Sequence, residues 1–146
     1  MVHGHRMESK HDLPDAAGDQ GAADAEARAR ATLLALGADA LAPRPWQPAG
    51  VPPSAADLVR HYLWRSARGD LTPEQDAAGA LAALALVPAA RAEADQLETA
   101  ALFSARAAGH TFGRMAAARG LGSPQAVQQR LDRLVARSGA AAEDDA

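Results

Sequence analysis

The sequence has 146 residues, which is enough for one domain or for a small domain with an appendage. It contains no cysteine, and only 3% of its residues are aromatic although 48% are hydrophobic. Disulfides, thiolate metal sites and cysteine nucleophiles are therefore excluded. Because alanine accounts for much of the hydrophobic fraction and aromatic residues are few, the core must be thin. We find no run of 18 or more apolar residues and no N-terminal hydrophobic segment, so we expect a cytoplasmic protein without a membrane partner.

The net charge of −3 is distributed unevenly along the chain. Residues 1–98 carry nine basic and fourteen acidic residues, whereas residues 99–138 carry six arginines and one aspartate. The last eight residues add three acids. Because positive charge is concentrated in one segment, that segment is the part of the chain suited to bind phosphates.

The N-terminal part predicts a tail, a helix and a linker. Residues 1–21 are polar and poor in large apolar residues, which predicts disorder. His3, His5 and His11 have no carboxylate or thiolate placed to complete a metal site. A helix is expected over residues 22–41, with an apolar stripe formed by Leu33, Leu34, Leu36 and Leu41. Five prolines predict an extended linker over 42–53, in which Trp46 is expected to hold the linker against the domain.

Ser54 and Asp57 predict the capped start of a helix that ends near Arg68. The predicted core stripe of this helix consists of Leu58, Val59, Tyr62 and Leu63. Trp64 falls on the opposite side of the helix. It is a candidate partner contact, and it either meets another segment of the chain or marks a subunit interface.

Thr72, Pro73 and Glu74 predict the start of the next helix. Its apolar positions are Ala77, Leu81, Leu84 and Ala85. Pro88 is expected to end or kink this helix, so that residues 22–88 form a helical N-terminal region. A new helix is expected over 89–108, covered on two sides because Leu97, Ala101, Leu102 and Phe103 lie nearly all round it.

Residues 110–137 predict two helices joined by a short turn. Thr111 can cap a helix over 112–119, and Ser123 with Pro124 begins a second helix that runs to about Arg137. This arrangement is typical of a DNA-binding helix-turn-helix. We therefore predict an all-α fold, a helical bundle with a C-terminal helix-turn-helix over 89–138 and no wing, followed by an acidic disordered tail over 139–146.

The two helices of this motif have distinct faces. Phe112, Met115 and Ala116 share the packing face of the first helix. The predicted buried stripe of the second consists of Val127, Leu131, Leu134 and Val135. Outward-facing glutamine and arginine side chains can hydrogen-bond to adenine and guanine edges. The candidate base-reading residues are Gln125, Gln128, Gln129 and Arg133. The candidate phosphate contacts are Arg106, Thr111, Arg114, Ser123, Arg130 and Arg137.

Arg119 shares a face with Phe112, where an apolar residue would be usual. Its stem is expected to lie along the core, with the guanidinium reaching solvent, a phosphate or Asp132.

The stretch LETAALFSARAAGHTFGRMAAARGLGSPQAVQQRLDRL (97–134) resembles the C-terminal module of small actinobacterial helix-turn-helix proteins, some of them labelled transcriptional regulators of a small heat-shock protein. The resemblance covers about residues 89–137. The residues that carry it are Arg106, Ala108, Gly109, Thr111, Phe112, Ser123, Pro124, Gln125 and Ala126. Phe112 matches the pattern as an aromatic residue, although the family usually has tryptophan at this position. The chain also departs from the pattern at Arg119, where leucine is usual. The resemblance implies sequence-dependent DNA binding. The module is also similar to the promoter-reading motif of sigma factors, but the chain lacks a polymerase-binding region.

No motif of a metalloprotease, a nucleotide-binding loop or a serine hydrolase occurs, so we expect no enzyme, no cofactor and no metal. The expected partners are double-stranded DNA, which implies association with the nucleoid, and a second copy bound through residues 22–70. No feature identifies a small-molecule ligand. The alternative is a helical protein-interaction module that uses Trp64 and the acidic half. A nucleoid-associated packaging role is a third, less favoured possibility.

Overall fold

A computed structural model describes residues 16–143, and within this range the only regular structure is helical. The all-α prediction is confirmed for these residues. The elements are α1 (Ala16–Ala35), a short 3₁₀ helix (Ala38–Ala40), α2 (Ala55–Ala67), α3 (Pro73–Ala107), α4 (Phe112–Arg119) and α5 (Pro124–Glu143).

The helix starts predicted at Ser54 and Thr72 are confirmed. The Ser54 hydroxyl accepts a hydrogen bond from the backbone N–H of Asp57 at 3.1 Å. Thr72 and Gln75 form a reciprocal capping box, each side chain accepting from the other's backbone N–H. Such caps satisfy backbone groups that have no partner inside the helix, so they fix helix starts from local sequence.

Helix α1 differs from the prediction at both ends. Residues 16–21, expected to be disordered, form its first turns. Asp19 is the one charged residue among them, and the alanine-rich sequence that follows favours helix. The helix ends at Ala35 rather than at residue 41, and Gly37 turns the chain with a φ of 107°. The predicted tail over 1–15, including its three histidines, lies outside the described residues, as does the end of the acidic tail at 144–146. Residues 139–143, predicted to be disordered, continue α5.

Helix α3 is one continuous helix of 35 residues, so the prediction that Pro88 ends it is wrong. Proline removes one backbone hydrogen bond, but both ends of α3 are held by packing against other helices. At 1.5 Å per residue α3 is about 52 Å long. The expected boundary between residues 88 and 89 therefore falls inside it.

Two separate cores lie along α3. The first joins α1 and α2 to its N-terminal half and includes Leu33, Leu58 and Leu86. The second joins α4 and α5 to its C-terminal half around Leu102. Leu86 and Leu102 are sixteen residues apart, which is about 160° around an ideal helix. The two cores therefore occupy nearly opposite faces of α3.

Several residues predicted to be buried are exposed. On α3 the first core uses Gly79, Ala82, Ala83 and Leu86 instead of the predicted face. The residues that the structure leaves exposed are Leu63, Ala77, Leu81, Leu84, Ala85, Leu97, Ala101, Phe103 and Val135. Alanine and leucine occur on every side of α3, so the pattern did not identify which face the neighbouring helices cover.

Helix α3 is long and apolar enough, by length and composition alone, to cross a membrane. Its most apolar 18-residue window has a mean hydropathy of 1.3, and 22% of that window is buried. A core helix of a soluble protein passes the same test.

Candidate nucleic-acid interface

Helices α4 and α5 are joined by the four residues 120–123. The Thr111 hydroxyl accepts a hydrogen bond from the N–H of Arg114 at 3.2 Å and so caps α4. Gly120, with a φ of 72°, ends that helix. The Ser123 hydroxyl accepts from the N–H of Ala126 at 3.2 Å at the start of α5. Both helix starts and the turn lie where the sequence predicted them.

The inner faces of the two helices form the second core with α3. Met115, Val127, Leu131 and Leu134 are buried there, and Phe112 is partly buried. The prediction is wrong for Val135, which is half-exposed, because α3 covers only the side of α5 that carries Leu131 and Leu134.

The first turns of α4 and α5 lie side by side. A Cβ added to Gly113 would lie 3.9 Å from the Cγ of Pro124. Arg114 and Gln125 are the next residues after this close approach, and both are exposed. The close approach therefore places a cationic and an amide side chain on adjacent helix starts.

All four candidate base-reading residues are exposed on α5: Gln125, Gln128, Gln129 and Arg133. The Gln128 amide donates to the Asp132 carboxylate at 3.0 Å, so part of its hydrogen-bonding capacity is used locally. At 100° per residue Gln125 and Gln129 lie nearly opposite Val127, on the outermost line of the helix. These two side chains are the best placed of the four to contact a ligand outside the protein.

Three of the arginines in the basic segment are bound to carboxylates of α3. Glu98 accepts from the Arg130 Nη2 at 2.7 Å and from the Arg130 Nε at 3.0 Å. It also accepts from the Arg119 Nε at 2.9 Å. Asp95 lies 3.0 Å from the Arg137 Nη1. The guanidinium of Arg119 therefore reaches Glu98 rather than Asp132.

These contacts shift the titration of both partners. Hydrogen bonds from Arg130, outweighing desolvation of the carboxyl, lower the pKa of Glu98 to about 2. The hydrogen bonds that Arg130 donates to the Glu98 carboxylate raise the pKa of Arg130. Arg130 is thus an internal counter-ion that attaches α5 to α3.

The arginines of this segment that form no ion pair within the described residues are Arg106, Arg114 and Arg133. The guanidinium carbon of Arg106 lies 4.6 Å from the centre of the Phe112 ring. Over residues 95–138 three acids face six arginines, so the local positive charge is smaller than residues 99–138 alone indicate.

Asp95 and Glu98 were not among the residues predicted from the sequence to have a role. They are three residues apart on one side of α3, and Leu102, which α5 covers, follows one turn later. An acidic pair that continues the apolar side of a helix, facing an arginine-rich helix, is the signal that could have identified them.

No family model matches the chain, and neither the curated proteins nor the solved structures to which it was compared include a match. Within residues 16–143 no group of three histidine, aspartate or glutamate side chains is arranged to hold a metal ion.

Proposed function

We propose that the chain is a sequence-dependent DNA-binding protein, a transcriptional regulator that inserts the first turns of α5 into the major groove. The observation that supports this proposal is the exposure of Gln125 and Gln129, one turn apart, at the start of a helix that follows α4 after four residues. A glutamine amide can donate to and accept from an adenine edge at the same time.

Phosphate contacts would come from residues around the same helix starts. Arg106, Arg114 and Arg133 supply charge, and the first backbone N–H groups of α4 and α5, after Thr111 and Ser123, can approach phosphate oxygens. Three cations per chain correspond to a slope of about −3 in a plot of log affinity against log salt. We therefore expect weak binding by one chain and a moderate salt dependence.

Selection from random duplexes, followed by anisotropy titrations at low salt, tests the proposal. Gln125→Ala/Gln129→Ala should reduce the preference for the selected duplex over a scrambled one by about 1–3 kcal/mol per lost base contact. Gln96→Ala, at an exposed glutamine of α3, should leave the preference unchanged. Failure to bind any duplex at about 50 mM salt would contradict DNA binding.

A second candidate function, a helical protein-interaction module, is favoured by the two tryptophans. Trp46 is 77% exposed and Trp64 is 54% exposed. Trp46 does not hold the linker against the domain as expected; it lines an open cleft of about 820 Å³ together with Arg91 and Leu97. The guanidinium carbon of Arg68 lies 4.9 Å from the centre of the Trp64 ring.

The two functions separate in one comparison. A Trp46→Ala/Trp64→Ala variant should bind DNA as the unchanged chain does if α5 is the functional surface. If the tryptophans are the functional surface, the unchanged chain should bind no duplex. The Trp46→Ala/Trp64→Ala variant should then lose binding to a protein partner, whereas Gln125→Ala/Gln129→Ala should retain it.

A further inference from the structure

A line of exposed residues along the N-terminal half of α3 has the spacing of a coiled-coil seam. The residues are separated alternately by three and four positions, which is the spacing of helices that pack lengthwise. They are Glu74, Ala77, Leu81, Leu84, Pro88 and Arg91. We refer to these six residues as the α3 seam.

The same spacing continues into the C-terminal half of α3, where the chain covers it. The next positions are Asp95, Glu98, Leu102 and Ala105. Asp95 and Glu98 bind arginines of α5, and Leu102 and Ala105 pack in the second core. One half of a continuous line is thus occupied by α5. The other half is bare, with Leu81 71% and Leu84 68% exposed.

We propose that a second copy of this chain covers the α3 seam, with the two α3 helices antiparallel. A two-fold axis on the seam side of α3, midway between the levels of Ala82 and Ala83, would bring Leu81 against the partner subunit's Leu84, and the reverse contact follows by symmetry. The same axis pairs Ala77 with the partner subunit's Pro88, a small residue against a ring.

Charge supports the antiparallel direction. The axis that pairs the leucines also pairs Glu74 with the partner subunit's Arg91 at each end of the seam. Both residues are exposed, and neither forms an ion pair within the described part of the chain. In a parallel pair, Glu74 would instead lie beside the partner subunit's Glu74, and Arg91 beside the partner subunit's Arg91.

Small side chains beside the seam permit close approach. Ala78, Ala85 and Ala92 flank it on one side, and all three are exposed. Helices with alanine at the contact approach to about 8 Å. The seam is about 27 Å long, so we expect an interface below standard size and weak, reversible dimerisation.

This surface replaces residues 22–70 as the expected site of self-association. Leu33 lies in the first core, and Leu34 and Leu36 pack against that core. Most of the leucine stripe that suggested residues 22–70 is therefore used within one chain, whereas Leu41 and Trp64 are exposed.

Sedimentation velocity of the full chain without DNA, from about 1 to 200 µM, tests the interface independently of the proposed DNA binding. The unchanged chain should shift from monomer to dimer, and Leu81→Glu/Leu84→Glu should remain monomeric throughout. Leu97→Glu alters a 73% exposed leucine of α3 outside the seam and should still dimerise. Circular dichroism verifies helix content. A monomer at the highest concentration, or a dimer of the double variant, would overturn the proposal.

Charge reversal tests the direction. Glu74→Arg and Arg91→Glu should each weaken the dimer about three- to tenfold, because two ion pairs become repulsive in each case. The combined variant should recover the original affinity. Failure to recover would exclude the antiparallel arrangement. A monomer that floats with lipid vesicles through Leu81 and Leu84 would assign the face to a membrane and would also overturn the proposal.

Discussion

Glu98 of α3 accepts hydrogen bonds from both Nη2 and Nε of Arg130 on α5, at 2.7 and 3.0 Å. The carboxyl is largely buried and also binds Arg119. Arginine paired through two nitrogens fixes orientation as well as distance. This pair therefore positions the helix that carries Gln125 and Gln129 relative to the rest of the molecule.

The pair predicts an acid-sensitive contribution to stability. The pKa of Glu98 is lowered to about 2, so the folded state favours the charged carboxylate. The stabilisation is complete at pH values above the ordinary carboxyl pKa and disappears as the pH falls towards 2.

We expect Glu98→Gln to lower the free energy of unfolding by about 1–2 kcal/mol at pH 7, discounted for the solvent around Arg119. The difference between the variant and the unchanged chain should shrink below about pH 4 and vanish near pH 2. Urea titrations at several pH values measure it. A difference that stays constant with pH would show that Glu98 acts by packing alone.

Two leucines on α3 test which face is buried. Leu86 is buried in the first core, whereas Leu84 is exposed two residues earlier. Leu86→Ala should lower the free energy of unfolding by about 2–4 kcal/mol, because it leaves a cavity. Leu84→Ala should change it by less than about 0.5 kcal/mol. Denaturation at about 1 µM chain keeps any dimer dissociated, and equal losses would contradict the packing.

Gly79 of α3 packs tightly against the ring of Tyr62 on α2. A Cβ at this position would lie 2.5 Å from Cε2 of Tyr62, whose hydroxyl is held by the Asp76 carboxylate at 2.9 Å. Gly79→Ala should therefore destabilise the fold by about 1–3 kcal/mol despite the better helix propensity of alanine. Gly21→Ala, where nothing lies within 4 Å, should stabilise α1 by about 0.5–1 kcal/mol. Thermal unfolding of both variants compares the two effects.

Arg114 provides a test of the phosphate contacts. If DNA binding holds, Arg114→Ala should weaken binding to selected and scrambled duplexes equally and reduce the salt slope by about 1. Arg60→Ala, at an exposed arginine of α2, serves as the control. A loss of preference for the selected duplex would instead make Arg114 a base-reading residue.

The sequence predicts the features of this fold that depend on local chemistry. The starts of α2 to α5 follow from Ser54, Thr72, Thr111 and Ser123, because a capping side chain and its N–H lie within three residues. The exposure of Gln125 and Gln129 follows from the period of one helix.

The features that were missed depend on distant contacts. Whether Leu84 or Leu86 is buried depends on where α1 and α2 pack, and both faces of α3 are apolar. The partners of Arg119 and Arg130 lie 21 and 32 residues away on α3. In the charge count along the sequence, Glu98 belongs to the acidic segment 1–98. In the folded chain its carboxylate pairs with Arg119 and Arg130 of the basic segment 99–138.

The middle of α3 has a mechanical consequence. No residue between 91 and 101 is buried, and the side-chain contacts of this segment with other helices are polar. Glu93 accepts hydrogen bonds from the N–H groups of Ala55 and Ala56 at the start of α2, and Glu98 binds Arg130 of α5. Each residue inserted between Glu93 and Asp95 would turn one core relative to the other by about 100° and move it by about 1.5 Å. The number of residues in this segment therefore determines the direction in which α5 lies around the axis of α3, relative to the first core. A one-residue insertion would re-aim Gln125 and Gln129 without touching either core.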